Sequence, residues 1–168
     1  METIMLSATP FDRRAALGLG GIGLLGAMTL AARPSTAAAR YEVSFTPAQW
    51  RARLGDERFR ILREASTEYP FTSPLLKEHR KGTFVCAGCA LPLFSSTTKF
   101  DSGTGWPSFY AALPNAVLYD RDLSLGMLRT EEHCRRCGGH LGHVFDDGPR
   151  PTGKRHCING LSLRFRPA

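Results

Sequence analysis

Apolar residues are distributed along this chain in three textures, and each predicts a different kind of element. Ala15 to Ala32 is an uncharged run of about 18 residues that includes Gly18, Gly20, Gly21, Gly23 and Gly26. From Thr46 onward, Trp50, Leu54 and the segment Arg58 to Ala65 place apolar positions at helical spacing. Thr46 before Pro47 reads as an N-cap followed by proline at the first helical position. Tyr69-Pro70 ends that region, Ser73-Pro74 begins a turn, and Leu75 to His79 is a candidate short helical turn. From Gly82 the runs become short. Strands are predicted over Gly82 to Cys86, Leu91 to Ser96, Val117 to Asp120, Leu125 to Thr130, Leu141 to Phe145 and Ser162 to Phe165, with Gly, Pro, Asn and Asp between them. Short strands and little helix predict a mainly β, antiparallel domain behind a small helical N-terminal segment.

The first texture reads as a leader. Arg13-Arg14 precede the apolar run, and Arg33-Pro34 and small residues up to Ala39 follow it. A charged start, an apolar middle and a small-residue end describe an export signal, and paired arginines suggest the twin-arginine route. An uncleaved membrane anchor is the alternative, since the run is at the lower limit for crossing a bilayer. The expected organisation is a leader over 1–39, a helical segment over 40–81 and a β-rich core over 82–168, with the mature protein exported to a bacterial periplasm. The 168 residues carry 22 Lys and Arg against 15 Asp and Glu, a net charge of +7. The basic residues are scattered, which argues for a solvated surface and against a nucleic-acid stripe.

The five cysteines divide into two pairs and one remainder. Cys86 and Cys89 form one C-x-x-C, Cys134 and Cys137 a second, with 44 residues between the pairs. Four thiolates at such spacing complete a tetrahedral Zn²⁺ shell with no position open to substrate, so the ion is expected to be structural. Two disulfides are the alternative for an exported chain, although a protein folded before export could load its metal in a reducing cytosol. A redox C-x-x-C would need a βαβ context absent here.

Cys157 is left for chemistry. In Arg155-His156-Cys157-Ile158-Asn159, strand alternation puts Arg155, Cys157 and Asn159 on one face, and a nearby guanidinium favours the thiolate. A buried, inert thiol is the competing reading. Two more segments are rich in candidate chemistry. Phe100 to Phe109 holds Gly103 and Gly105 ahead of Trp106-Pro107, a bent loop offering either an aromatic wall or a core tryptophan. Gly138 to Pro149 holds His140, His143, Asp146 and Asp147, either pocket donors and acids or surface residues of a Gly-rich loop.

Both cysteine pairs, Lys99 to Gly103, Gly105 to Phe109, Gly139 to Phe145 and Arg155 to Asn159, in this order, resemble the methionine sulfoxide reductase B family, the peptide-methionine (R)-S-oxide reductases. The resemblance spans about Phe45 to Phe165. It implies an oxidoreductase of oxidative-stress repair, built on two antiparallel sheets with one structural zinc on Cys86, Cys89, Cys134 and Cys137. It implies that the Cys157 thiolate attacks the sulfoxide sulfur of an oxidised protein or peptide and becomes a sulfenic acid. Trp106 would pack on the substrate methyl, and His140, His143, Asp147 and Asn159 would surround the sulfoxide oxygen, with Arg155 favouring the thiolate. A thioredoxin-like protein or another thiol would regenerate the enzyme, which is expected to be a monomer.

Two departures stand out. Many family members carry a resolving cysteine where this chain has Thr104, which predicts a one-cysteine cycle completed by an external thiol; resolution by a zinc-site cysteine is the alternative. His156 stands where the family usually has tyrosine, and if it alternates away from Cys157 it should act in packing. A reading from another class is a zinc-stapled module that binds ligands without turnover.

Overall fold

The computed structural model describes residues 41–168; the leader expected over 1–39 lies outside the described residues. One α-helix, α1 (Pro47–Glu64), opens the domain. Thr46 caps it as expected: its hydroxyl accepts from the Gln49 N–H while the Gln49 side chain accepts from the Thr46 N–H, so two otherwise unpaired donors are satisfied. Gly55, at φ 72°, breaks the helix internally, and Ala65 closes it in the left-handed region. Trp50, Leu54, Phe59, Ile61 and Leu62 are its buried face. A 3₁₀ turn follows at Pro74–Lys77. Among the described residues, no helix is long and apolar enough to cross a membrane.

Nine strands among the described residues form two antiparallel sheets. They are β1 (Gly82–Cys86), β2 (Pro92–Ser95), β3 (Lys99–Phe100), β4 (Ser108–Phe109), β5 (Val117–Asp122), β6 (Arg129–Cys134), β7 (His140–Phe145), β8 (Arg155–Ile158) and β9 (Leu163–Pro167). The smaller sheet runs β2-β1-β9 and the larger β3-β4-β8-β7-β6-β5. The core lies where they face each other: Phe84 and Phe94 of the small sheet pack on Phe109 of the large one, with ring centroids 4.9 and 4.4 Å apart. Leu93, Leu141, Ile158 and Leu163 complete this buried layer.

One predicted strand is misplaced, and the two-residue strands β3 and β4 were not predicted. Leu125 to Thr130 was the predicted segment, whereas a 3₁₀ turn occupies Ser124–Gly126 and β6 runs from Arg129 to Cys134. The residues RTEEHC show no apolar alternation because the inward position of this strand is a carboxylate. Glu132 is fully buried and accepts from His156 Nδ1 on both oxygens, at 3.1 and 2.9 Å. The partner is a buried residue of β8, so the strand's burial is visible only once the two meet in space.

Candidate active site

The geometry of the site follows from the register of the large sheet. On β8, His156 and Ile158 are buried while Arg155 and Cys157 lie on the opposite, outer face. His156 thus packs into the core behind the nucleophile, its ring 5.7 Å from that of Phe94. On the outer face the pairing carries one row across all six strands. Phe100, Ser108, Cys157, His143, Glu131 and Asp120 stand opposite one another in sequence of strands. Cys157 is therefore flanked by Ser108 on one side and His143 on the other.

The loop between β3 and β4 bends back onto this row. Asp101 accepts from the Gly103 N–H at 2.9 Å, and Gly103 and Gly105 take φ of 70° and 93°. The bend delivers Thr104 Oγ1 to 3.9 Å from Cys157 Sγ. Ser102 Oγ lies 2.8 Å from Thr104 Oγ1 and 2.7 Å from Ser108 Oγ, so three hydroxyls form a connected chain ending at the sulfur. Burial pushes the Cys157 thiol above its ordinary value; the Thr104 hydroxyl and the Arg155 guanidinium pull the other way without overcoming it. The Arg155 guanidinium acts in the direction that favours the thiolate, but desolvation is the larger effect.

Each remaining candidate has a fixed partner. His143 Nε2 lies 2.8 Å from Asp122, and His140 Nδ1 lies 2.6 Å from Glu131. The two rings meet edge-on at 5.6 Å. Burial holds His140 below the usual imidazole range, against the pull of Glu131. Its Nε2 is buried with no hydrogen-bond partner among the described residues, a polar corner beside the row. Asp147 is exposed and binds Arg155 by two bonds of 2.8 Å, which hold its carboxyl below the usual range and orient the guanidinium.

Asn159 is 3% exposed and committed to the protein on both ends of its amide. Its oxygen accepts from the Glu68 N–H and its nitrogen donates to the Leu141 carbonyl, each at 3.0 Å. The Glu68 carbonyl accepts from the Trp106 indole at 3.1 Å. A relay therefore runs from Asn159 through one residue of the 65–73 segment to Trp106. Glu68 was not singled out in the sequence, nor were Ser102, Ser108, Glu131 and Asp122. Glu68 also accepts from the Gly160 and Leu161 N–H groups, so this buried carboxylate ties the segment before the 3₁₀ turn to the chain leaving β8. Only Ser102 and Ser108, inside the segment already flagged around Trp106, carried a local signal.

The two cysteine pairs meet at a second centre. Each knuckle is built alike. The Ala90 N–H returns to the Cys86 carbonyl, and the Gly138 N–H to the Cys134 carbonyl, both at 2.8 Å. Both turns close with a residue of positive φ, 60° at Ala90 and 64° at Gly138. The four sulfurs lie within 4.8 Å of one another, with Cys86–Cys137 at 3.7 Å and Cys89–Cys134 at 3.5 Å. All five cysteines are free. Tetrahedral sulfur ligands at about 2.3 Å from a zinc ion stand about 3.8 Å apart, so the cluster fits one such ion. Helix α1 covers the centre: Arg63 donates to the Cys137 carbonyl at 2.8 Å, and Trp50 packs by Gly88.

Comparison with known proteins agrees with this arrangement. The SelR domain family matches residues 54–167. The chain is 58% identical over 123 residues to a Thiobacillus denitrificans protein named peptide methionine sulfoxide reductase MsrB, covering 73% of this chain and 93% of that one. Proteins of the same name from Leptospira interrogans and Agrobacterium fabrum are each 54% identical over 127 residues, covering 75% of this chain and 97% and 94% of theirs.

Proposed function

The chain belongs to the peptide methionine sulfoxide reductase B family, the reductases built on the SelR domain, and on that footing we propose that it reduces methionine-R-sulfoxide in proteins or peptides through Cys157. The observation that supports this most is the division of the cysteines: four gather at the metal centre, and Cys157 stands apart in a row with His143 and beneath Thr104.

In the proposed reaction the Cys157 thiolate attacks the sulfoxide sulfur and forms an S–S bond while the oxygen takes up a proton. The hydroxyl then passes to the Cys157 sulfur as the S–O and S–S bonds break, which leaves Cys157 as sulfenic acid and releases methionine reduced. Sulfoxide oxygen departs poorly unless protonated. His143 fits the task of acid, since Asp122 fixes one ring nitrogen and leaves the other free of that carboxylate. His140, whose Nε2 has no partner among the described residues, fits a role in holding the oxygen or its water. Trp106 is the apolar wall for the methyl group, held by Glu68. An apolar wall beside a polar corner distinguishes the two epimers. Arg155, oriented by Asp147, and Thr104 supply positive and donor character to the thiolate. Asn159 acts through Glu68 and Trp106.

The sulfenic acid then forms a mixed disulfide with an external thiol, releasing water, and a second thiol frees Cys157. Among the described residues no sulfur stands within hydrogen-bond reach of Cys157, whose neighbour at the resolving position is Thr104; this favours a one-cysteine cycle served by a thioredoxin-like protein. Zinc is the ion proposed for the four cysteines, in a structural role. The pattern Arg13-Arg14, apolar run, small residues supports an exported, periplasmic enzyme.

The test is turnover of matched peptides carrying either sulfoxide epimer, with a supplied dithiol. The R epimer alone should be reduced, and Cys157→Ser should abolish turnover while leaving the melting temperature and metal content unchanged. Reduction of the S epimer alone, or turnover surviving Cys157→Ser, contradicts the proposal.

A further inference from the structure

The turn Tyr69-Pro70-Phe71 is shaped against local preference. Phe71 takes φ 66°, a conformation that bulky L residues avoid, and its ring is 70% exposed beside a Tyr69 that is 84% exposed. The turn is nonetheless pinned to the Trp106 loop on several sides. The Phe71 N–H donates to the Gly105 carbonyl at 2.7 Å, and the Glu68 carbonyl accepts from the Trp106 indole. A Cβ on Gly105 would lie 2.7 Å from Pro70 Cβ and 2.9 Å from Phe71 N, so only glycine permits this approach. One edge of the Phe71 ring also lies against Gly105, its Cδ2 3.0 Å from where a Cβ there would stand, while most of the residue stays exposed. Glycine or asparagine would fit the φ of Phe71 more easily.

Phe71 lines a cleft of about 670 Å³ whose apolar wall includes Leu76, Phe100 and Trp106. Its lining also holds Lys77, Glu78, His79, Lys99 and Asp101. Phe100 belongs to the same outward row as Cys157, two strands away through Ser108. Strand spacing puts that at about 10 Å. An extended polypeptide advances about 3.3 Å per residue, so the cleft lies within about three residues of a methionine sulfoxide seated at Cys157. The cleft shares Trp106 with the proposed active site, and Gly103 and Gly105 of its lining flank Thr104, the neighbour of Cys157.

We propose that the cleft bounded by Phe71, Leu76 and Phe100 is a subsite for an apolar or aromatic side chain near the oxidised methionine, so that the enzyme selects among oxidised polypeptides by their flanking sequence. This rests on the reading of Cys157 and Trp106 as the reacting centre.

The test compares kcat/KM for two peptides of equal length, one with phenylalanines flanking the methionine-R-sulfoxide and one with glycines, at fixed dithiol. The phenylalanine peptide should be preferred by about tenfold. Phe71→Asn, which suits the left-handed backbone, should collapse that ratio toward one, and Phe71→Tyr should keep it. Leu76→Ser provides a second variant in the lining and should also reduce the ratio. Equal use of the two peptides by the wild type, or a preference that survives both Phe71→Asn and Leu76→Ser, overturns the inference while leaving the proposed function standing. Absence of turnover on the glycine and phenylalanine peptides alike overturns the proposed function, and the subsite with it.

Discussion

Replacing Asn159 with alanine separates two ways in which this residue could matter. Its side chain is 3% exposed, and both polar atoms are taken by protein groups at 3.0 Å. Truncation leaves the Glu68 N–H without an acceptor. The Leu141 carbonyl fares better, because it still accepts from the Asn159 N–H at 2.8 Å. One orphaned donor and one bond lost from a carbonyl that keeps another partner should cost about 2 kcal/mol. For a domain of this size that is a fall of roughly 6–10 °C in melting temperature. The Glu68 segment should loosen with it, and Glu68 carries the acceptor of the Trp106 indole, so kcat/KM should fall as well. Thermal melts and steady-state kinetics on the same preparation measure both. A variant that melts with the wild type while its turnover collapses would show that Asn159 touches the sulfoxide directly, and the relay through Glu68 would be wrong.

Other expectations follow from the same contacts. Denaturation with a chelator, without reductant, should expose five titratable thiols and release one metal ion per chain; a count of one thiol would mean the paired cysteines are disulfides. Stripping the metal should lower the melting temperature strongly, since the ion ties two knuckles 44 residues apart in sequence. Alkylation of Cys157 should rise with pH toward a midpoint above that of an ordinary thiol, because burial disfavours the charged form. Thr104→Val removes one of the two groups opposing burial, so the midpoint should move further up and alkylation at neutral pH should slow, while Thr104→Ser should preserve both; no movement on Thr104→Val would remove the hydroxyl from the account. Glu132→Ala leaves His156 unpaired in the core and should cost about 3–5 kcal/mol by denaturant titration, whereas Glu132→Leu with His156→Phe should recover much of that loss; a mild effect of Glu132→Ala would mean the pair is solvated.

Much of this was legible in the sequence because it is local or arithmetic. Thr46-Pro47 announces its helix through capping chemistry confined to four residues. The parity of the cysteines separates Cys157 from the metal centre before any geometry is known, and period-two alternation turns His156 toward the core. What stayed hidden depends on meetings between distant segments. The carboxylates that hold His140 and His143 come from β6 and β5, and Glu68 reaches residues 92 and 93 positions away. β6 was misplaced because its inward residue is Glu132, whose partner His156 lies on another strand. β3 and β4 are two residues each, too short to show a period, yet they bring Phe100 and Ser108 into the row beside Cys157.

A single turnover without reductant tests the central claim most directly. One equivalent of a methionine-R-sulfoxide peptide is added, the methionine formed is counted, and the intact protein is weighed. One methionine per chain, with one oxygen gained at Cys157 and the metal retained, is the predicted result. Loss of two hydrogens with release of the metal, which would mean that a cysteine of the metal centre closes a disulfide, or no methionine formed at all, would contradict it.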